Sequence, residues 1–369
     1  MKKRKKLYYY DYSLLLILIL LVAFGMVMLY SVSAYQGNLK YGDPAHYLKR
    51  QAAFAAGGFI CILLESRMDY RKLRRLGPAF YALALFLCVA VNFVGTDGNG
   101  STRWFKIGPI TVQPSEIAKA AVIIFLAALI AGSNKNLNDT KYILLVFAVL
   151  VPLLAAIAYN NLSTAVIVAG IAFIMLFIAS RRTGIFALIL FLGFFGILVF
   201  TVAAGYRSER IGIWLHPENY EKGYQTLQAL YAIGSGGLFG RGLGASMQKM
   251  GFVPEAQNDM IFSIICEELG IVGAVGLIIL YILLIWQCLT VARKSVDQFG
   301  SFLCIGIMTH ISLQVILNIA VVTNTIPNTG VTLPFISYGG SALIILLIEM
   351  GLVLSVSHRI PLDSDILEA

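Results

Sequence analysis

Four carboxylates lie within one short stretch of the chain, VPEAQNDMIFSIICEELG at 253–270. They are Glu255, Asp259, Glu267 and Glu268, in a chain whose acidic residues number only 19. A carboxylate can act as a general base that takes a proton from a reacting hydroxyl. An ionised side chain at membrane depth costs about 2.5–3.5 kcal/mol on insertion scales. Because the second half of this stretch is apolar, its acids indicate either chemistry or a specific structural pairing.

Asp259 is the candidate base of this stretch. Its place at the start of an apolar helix also fits a helix N-cap, a role that Asp favours. A cap does not need the second acid at Glu255 or the cations of the adjacent loops. Glu267 and Glu268 lie two turns deeper or more, and we expect them to hold helices together.

The apolar segment that begins at Asp259 is too long for one membrane crossing. At helical rise it measures roughly 45–50 Å, whereas the hydrocarbon core of a bilayer is about 30 Å thick. Gly270, Gly273 and Gly276 cluster where a break could fall. We expect 258–270 to form either a helix that projects above the membrane or a half-helix that lines a polar cavity.

Other polar residues interrupt the apolar segments. Glu116 and Lys119 have the spacing of an intrahelical ion pair, and a paired lysine near the membrane surface can still present a proton to a phosphate oxygen. Gln314 and Asn318, at i and i+4, predict hydrogen bonds to a neighbouring helix. His310 is interpreted as an isolated core or interface residue.

A long polar loop at 205–258 holds two further features. One is a predicted helix whose apolar stripe either lies flat on the bilayer or packs on the rim of the bundle. That stripe comprises Tyr224, Leu227, Leu230 and Tyr231. The other is GSGGLFGRGLG at 234–244, which lacks the ending of a Walker motif and the strand of a dinucleotide fingerprint. Its bare amides and Arg241 predict a flexible loop that contacts an anionic lipid head group.

The composition defines the class of protein. Hydrophobic residues make up 59% of the chain, charged residues 13%, and the mean hydropathy is +0.81. Ordinary soluble domains carry about twice that charged fraction, so the chain is predicted to be an all-α polytopic membrane protein. The net charge of +9 does not indicate nucleic-acid binding, because the basic residues lie in short loops where they orient membrane helices. The five cysteines lack the close pairing of a zinc or redox site and are interpreted as core residues.

Ten apolar segments are long enough to span a membrane. Lysine and arginine concentrate at 2–6 and 67–75. The positive-inside rule therefore places both termini in the cytoplasm and the large loop 205–258, between helices 7 and 8, outside the cell. The segments lie at 12–33, 51–66, 77–95, 116–132, 142–158, 163–180, 184–204, 259–292, 299–322 and 337–357.

Four sequence motifs resemble the signature segments of the SEDS family, the RodA, FtsW and SpoVE proteins of bacterial wall synthesis. They are QPSEIAK at 113–119, GYQTLQALYAIGSGGLFGRGLG at 223–244, PEAQNDMIFSIICEELG at 254–270 and TGVTLPFISYGGSA at 329–342. They occur in order over nearly the whole chain, so the resemblance covers residues 1–369 as a single SEDS-type integral membrane domain.

The resemblance implies a ten-span fold and a peptidoglycan glycosyltransferase that polymerises lipid II. The essential Asp of the family falls on Asp259, and the Glu and Lys of its Gln-Pro-Ser-Glu segment fall on Glu116 and Lys119. Two positions depart from the family pattern. Asn161 stands where an acid is common, which argues against a catalytic role there, and Met260 replaces the usual Phe.

An enzyme at the outer face works without nucleotides, so its substrate must carry its own leaving group, as a lipid diphosphate sugar does. Such a site needs one base and several cations that neutralise the departing diphosphate. Sequence does not choose among the cations or show whether a divalent cation, Mg or Mn, assists. The candidate diphosphate ligands are Arg103, Lys119, Arg207, Arg210, Arg241 and Lys249.

Two other functions remain open at this stage, a lipid II flippase and a non-catalytic scaffold for wall-synthesis enzymes. The expected partners are lipid II, the growing lipid-linked strand, membrane lipids and, from the resemblance, a class B penicillin-binding protein. The expected location is the bacterial cytoplasmic membrane. Whether the chain serves elongation, division or sporulation stays open.

Overall fold

The structure, a computed structural model, describes residues 10–98, 101–108, 110–132, 136–203 and 211–361. Long α-helices dominate these residues. They are α1 Tyr12–Tyr41, α2 His46–Glu65, α3 Leu73–Val94, α4 Pro114–Gly132, α5 Thr140–Asn160, α6 Leu162–Ala179, α7 Thr183–Ala203, α8 Tyr224–Gly236, α9 Ile261–Lys294, α10 Gln298–Val322 and α11 Gly340–Ser357.

Short side-chain caps define several helix starts. Asp11, Asp139 and Asp297 accept backbone N–H groups at the first turns of α1, α5 and α10. Asn161 does the same for α6 by accepting from the amide of Thr164 at 3.1 Å. The residue that departs from the family pattern therefore has a capping role, for which Asn serves as well as Asp.

A small antiparallel sheet lies between α3 and α4. Its strands are β1 Thr96–Gly98, β2 Ser101–Ile107 and β3 Ile110–Val112, in the order β1-β2-β3. The all-α prediction is therefore correct for the helical bundle and wrong for this loop. Arg103 of β2 lies beside Pro114 and Ser115 at the start of α4.

Within the described residues, nine helices are long and apolar enough to cross a membrane. They are α1 to α6 and α9 to α11, and a further apolar stretch, Thr183–Gly193, forms the first part of α7. The prediction of a polytopic membrane protein is confirmed. The count of ten spans and the side on which each terminus lies remain predictions.

The helices α4, α10 and α11 form the most buried part of the bundle. α4 packs on α3 and α10, α10 packs on α9, and α11 packs on α2. The faces that these central helices share carry the polar side chains Lys119, Gln314 and Glu349, each no more than 2% exposed. The fold thus encloses a polar column inside an apolar bundle.

Candidate active site

Asp259 lies in the turn immediately before α9. The N-cap of α9 is Met260, and no side chain caps the first turn. Among the described residues, no other side chain donates a hydrogen bond or forms an ion pair with the Asp259 carboxylate. The capping interpretation of Asp259 is therefore wrong, and its carboxylate remains available to a ligand.

The surroundings of Asp259 favour a proton-accepting carboxylate. The pKa of Asp259 is raised from 3.8 to about 6, chiefly by burial and in smaller part by the negative charge of Glu255, against a backbone hydrogen bond that lowers it. A raised pKa makes the ionised carboxylate a stronger base close to neutral pH. Asp259 therefore has the acid–base properties that general-base catalysis requires.

Asn318 of α10 holds the backbone beneath this carboxylate. Its side-chain amide donates to the carbonyl oxygens of Asp259 and Val331, each at 2.7 Å. Asn318 is fully buried. It joins the turn before α9 to the loop 323–339, where a Cβ built on Gly330 would lie 3.9 Å from the Asp259 carboxylate. The predicted bond to a neighbouring helix is replaced here by bonds to two loops.

One turn earlier on α10, Gln314 connects the same loop to α4. Its amide nitrogen donates to the carbonyl of Thr332 at 3.0 Å, and its amide oxygen accepts from the Lys119 ammonium at 3.1 Å. The predicted bond to a neighbouring helix is confirmed for this residue. Successive turns of a helix are about 5.4 Å apart. Gln314 and Asn318 therefore bind Lys119 and the backbone of Asp259 one helical turn apart along α10.

Lys119 also forms the ion pair that its spacing predicts. Its ammonium lies 2.9 Å from the carboxylate of Glu116, and both side chains are almost fully buried. A buried lysine needs such a partner because desolvation otherwise disfavours its charge. The structure therefore brings Glu116 and Lys119 together and joins them to the Asp259 region through Gln314.

His310 continues the column toward the opposite end of the bundle. Its Nδ1 lies 2.7 Å from the carboxylate of Glu349, and its Nε2 lies 2.9 Å from the amide oxygen of Gln314. The interpretation of His310 as an isolated residue is wrong. The sequence signal that could have revealed the pair is Glu349 itself, an acid within the apolar segment of α11.

Glu267 of α9 is saturated with hydrogen-bond donors. Its carboxylate accepts from the hydroxyl of Ser246 at 2.5 Å and from the amides of Met247 and Gln248 at 3.1 and 3.4 Å. The guanidinium of Arg241 lies 3.4 Å away. These contacts fix the loop after α8 onto α9, as expected for a structural carboxylate.

Glu268 is equally well bonded on the neighbouring face. It accepts from the hydroxyl of Ser31 on α1 at 2.7 Å and forms an ion pair with Lys249 at 2.6 Å. Lys249 also donates to Ser31 and is only 6% exposed. The predicted substrate ligand Lys249 is therefore buried in a contact that joins α1, α9 and the long loop.

A glycine break divides α9, as predicted. Gly270 has φ of 68° and ψ of −166°, which interrupts the helical hydrogen bonds. The amides of Arg241 and Gly242 donate to the carbonyls of Glu267 and Glu268, and the amide of Ile271 donates to the carbonyl of Gly237. The loop thus provides hydrogen-bond partners for backbone groups of α9 at the break. The interpretation of 234–244 as a flexible loop with bare amides is wrong for these residues.

The other predicted cations lie in several places. Arg103 lines a small cavity with Gln113, Asn160 and Asn161, beside the start of α4. Arg241 is held at Glu267 but is 42% exposed. Arg207 and Arg210 lie outside the described residues.

A metal site was left open by the sequence. In the part of the chain that the structure describes, no group of three or more His, Cys, Asp or Glu side chains is arranged to hold a metal ion.

The model of the cell cycle protein family, which covers FtsW, RodA and SpoVE, matches residues 11–360. The chain belongs to this family. The SEDS resemblance of the four motifs is confirmed. The matched residues include Asp259, Glu116, Lys119 and the whole polar column.

Curated relatives of this SEDS chain are similar along nearly their full length. Stage V sporulation protein E of Bacillus subtilis is 37% identical over 344 residues, which cover 92% of this chain and 94% of that protein. A probable peptidoglycan glycosyltransferase FtsW of Geobacter metallireducens is 37% identical over 350 residues, which cover 92% of each.

Solved structures share the fold of this SEDS chain. A chain of a peptidoglycan synthase complex, described as coordinating polymerization and crosslinking, matches with a TM-score of 0.78 and 28% identity, covering 94% of this chain and 97% of that one. Thermus thermophilus RodA matches with a TM-score of 0.73 and 28% identity, covering 96% and 98%. The polytopic fold is therefore that of RodA-like proteins.

Proposed function

We propose that the chain polymerises lipid II into glycan strands at the outer face of the bacterial cytoplasmic membrane, with Asp259 as general base. Family membership makes the chain a peptidoglycan glycosyltransferase and a multi-pass membrane protein. One observation carries the role of Asp259. Its carboxylate has a pKa raised to about 6, and no other side chain among the described residues bonds to it.

In the proposed reaction, Asp259 takes the proton from the sugar 4-hydroxyl of an incoming lipid II. The hydroxyl oxygen attacks the anomeric carbon at the lipid-linked end of the growing strand, with inversion at that carbon. The bond from this carbon to the diphosphate oxygen breaks, and undecaprenyl diphosphate leaves with the electron pair. The proton then passes from Asp259 to water, which regenerates the base.

Departure of the diphosphate requires positive charge near its oxygens. We assign this role first to Lys119, with Glu116 as the partner that orients it, because Gln314 joins this pair to the Asp259 region. Arg103 is the next candidate, since it lies beside the start of α4.

Three other arginines complete the proposed set of diphosphate ligands. Arg241 is half-exposed at the edge of α9, and Arg207 and Arg210 belong to the same long loop. Lys249 is left out of the proposed contacts. Its ammonium would have to abandon the buried carboxylate of Glu268, which would leave a buried charge without a partner.

Several wider features remain part of the proposal. The chain acts as one integral membrane domain with both termini in the cytoplasm. A divalent cation, Mg or Mn, if bound at the diphosphate, would add positive charge beside the leaving group. A class B penicillin-binding protein is the proposed partner, supported by the similarity to a chain of a peptidoglycan synthase complex.

The test is polymerisation of lipid II by the purified protein, with and without the proposed penicillin-binding partner. Glycan strands that depend on the carboxylate of Asp259 support the proposal. A parallel assay in liposomes measures transfer of lipid II between leaflets. Transfer without polymerisation, in protein shown to be folded, would replace the glycosyltransferase proposal with a flippase. If folded protein shows neither polymerisation nor transfer between leaflets, a scaffold would be favoured.

A further inference from the structure

A pocket of about 640 Å³ opens at the end of the bundle opposite Asp259. It lies where the starts of α3 and α10 meet the end of α4. Its mouth carries the guanidinium groups of Arg71, Arg74 and Arg75. Its lining also includes Pro78, Phe125 and Leu129, which lie about one turn or more inside the helix ends. The pocket is therefore cationic at its mouth and apolar deeper in the bundle.

The charge at this mouth is only partly neutralised. Arg71 pairs with the pocket carboxylate Asp297 at 2.8 Å. Arg74 donates to the backbone carbonyl of Ala131 at 3.1 Å, a neutral partner. Arg75 is exposed, and its guanidinium makes no hydrogen bond or ion pair with any residue that the structure describes. Arg74 and Arg75 thus face the pocket without a compensating carboxylate.

The one acid of the pocket is fully occupied within the protein. Asp297 accepts hydrogen bonds from the hydroxyl of Tyr70 at 2.6 Å, the amide of Gly300 at 2.8 Å and Arg71 at 2.8 Å. Burial raises the pKa of Asp297, but these bonds together hold the pKa below its ordinary value. Asp297 therefore stays charged, binds Arg71 and leaves the other two arginines to a ligand.

Arg74 and Arg75 lie where α3 follows directly from a single 3₁₀ turn at Tyr70–Lys72. Asp69 already caps that turn by accepting from the amide of Arg71 at 3.0 Å, and the first turn of α3 itself has no acidic residue. A bound anion at this point would interact favourably with both guanidinium groups. The local electrostatics therefore fit an anionic ligand.

We propose that this pocket binds an anionic phospholipid of the surrounding membrane. Arg74 and Arg75 contact the phosphate of the head group. The first carbons of an acyl chain lie along Pro78, Phe125 and Leu129. A free phosphate would match only the mouth of the pocket, whereas a phospholipid also matches its apolar interior, and basic pockets between membrane helices are known to hold such head groups.

The binding site connects the two ends of α4. The pocket uses the last two turns of α4, and Glu116 and Lys119 lie in its first two turns. A phospholipid that bridges α3 and α4 at one end would stabilise the packing of the helix that holds the Lys119 pair at the other end. The proposal does not depend on the glycosyl transfer reaction.

The test is native mass spectrometry of the full chain released from nanodiscs of phosphatidylglycerol or of phosphatidylcholine. We expect retained phosphatidylglycerol on the wild type and at least roughly tenfold less on the double variant Arg74→Gln, Arg75→Gln, since the variant removes both charged donors to the phosphate. The matched control is Arg181→Gln, Arg182→Gln, which removes the same charge from exposed positions outside the pocket.

Two further variants separate binding from folding. Arg75→Gln alone removes a guanidinium that has no partner among the described residues, so its expected partial loss of lipid does not come from a broken contact within them. Leu129→Trp keeps every arginine and narrows the apolar part, and it should also reduce retention.

Several results would overturn the proposal. They are equal retention of phosphatidylcholine by the wild type, equal loss in the control variant, and full retention by Arg75→Gln together with the double variant. Displacement of the lipid by millimolar inorganic phosphate would show a site for the free anion. Displacement by a short-chain polyprenyl diphosphate at a lower concentration than by dioctanoyl phosphatidylglycerol would show a site for the diphosphate lipid instead.

Discussion

The two ends of the stretch 253–270 place carboxylates in opposite surroundings. Asp259 has no partner among the other described side chains, and its pKa is raised to about 6. Eight and nine residues later, Glu267 and Glu268 are fully buried, and each is bonded to several donors. The difference teaches that the number of hydrogen-bond donors around a carboxylate, rather than its position in the apolar stretch, separates a chemical role from a structural one.

The physical reason lies in what each role demands of the carboxylate. A general base needs a lone pair that faces the substrate and a pKa close to the working pH. A structural carboxylate needs all of its lone pairs satisfied, because a buried unpaired charge is costly. Asp259 has the raised pKa that the first role requires, and Glu267 and Glu268 have the bonded lone pairs that the second requires.

The largest effect is expected from Asp259→Asn. Asn preserves the shape of the side chain and removes its basicity, so the polymerisation rate should fall by roughly 10²–10⁴. The thermal unfolding midpoint should stay near that of the wild type, because the Asp259 carboxylate supports no other side chain. Both are measured on the same purified preparation. A large fall in the unfolding midpoint would assign Asp259 to the structural group.

Glu268→Gln should give the reverse pattern. It leaves the ammonium of Lys249 buried without its counter-charge, which should lower the free energy of unfolding by about 3–5 kcal/mol. Turnover per folded molecule should change little. Chemical denaturation followed by the fluorescence of the tryptophans measures the loss, and Glu267→Gln should shift stability in the same direction. Unchanged stability with lost turnover would contradict the structural assignment.

The pair in α4 should respond unequally. Lys119→Met removes a proposed diphosphate contact, and loss of one such charged donor should lower the rate by roughly 10²–10³. Glu116→Gln should cost about tenfold or less, because Lys119 keeps its bond to Gln314. Rates and unfolding midpoints of the two variants are compared directly. Equal damage with poor folding in both would make the pair structural.

The smallest effect is expected from Glu255→Gln. The negative charge of Glu255 contributes to the raised pKa of Asp259. Its removal should lower that pKa and shift the acidic limb of the pH–rate profile to lower pH, with a rate at neutral pH near the wild type. A shift to higher pH would contradict the electrostatic assignment.

Local spacing predicted the parts of the site that depend on one helix. Glu116 and Lys119 are close because residues three apart share a helix face, and the ion pair is confirmed at 2.9 Å. A break was predicted at the cluster of Gly270, Gly273 and Gly276 because the apolar segment exceeds the bilayer. It lies at Gly270, whose φ of 68° glycine tolerates. Asp259 was singled out by its apolar context and by the family resemblance.

Contacts between distant segments could not be read from spacing. Lys249 was predicted to face substrate, but its partner Ser31 lies on α1, more than 200 residues away. The pairing of His310 with Glu349 likewise depends on how α10 packs on α11. The amides of the loop 234–244 were predicted to be bare. Nothing in the local sequence indicates that carbonyl groups at the break in α9 accept hydrogen bonds from them.

The most direct test of Asp259 as the base is the pH dependence of lipid II polymerisation at saturating substrate. Asp259 has a raised pKa, so its carboxylate is ionised above about pH 6 and protonated below it. The wild-type rate should therefore be level near neutral pH and fall about tenfold per pH unit below about 6. The residual activity of Asp259→Asn should lack this limb. A residual activity with the same acidic limb, or a wild-type rate that stays level well below pH 6, would contradict the assignment.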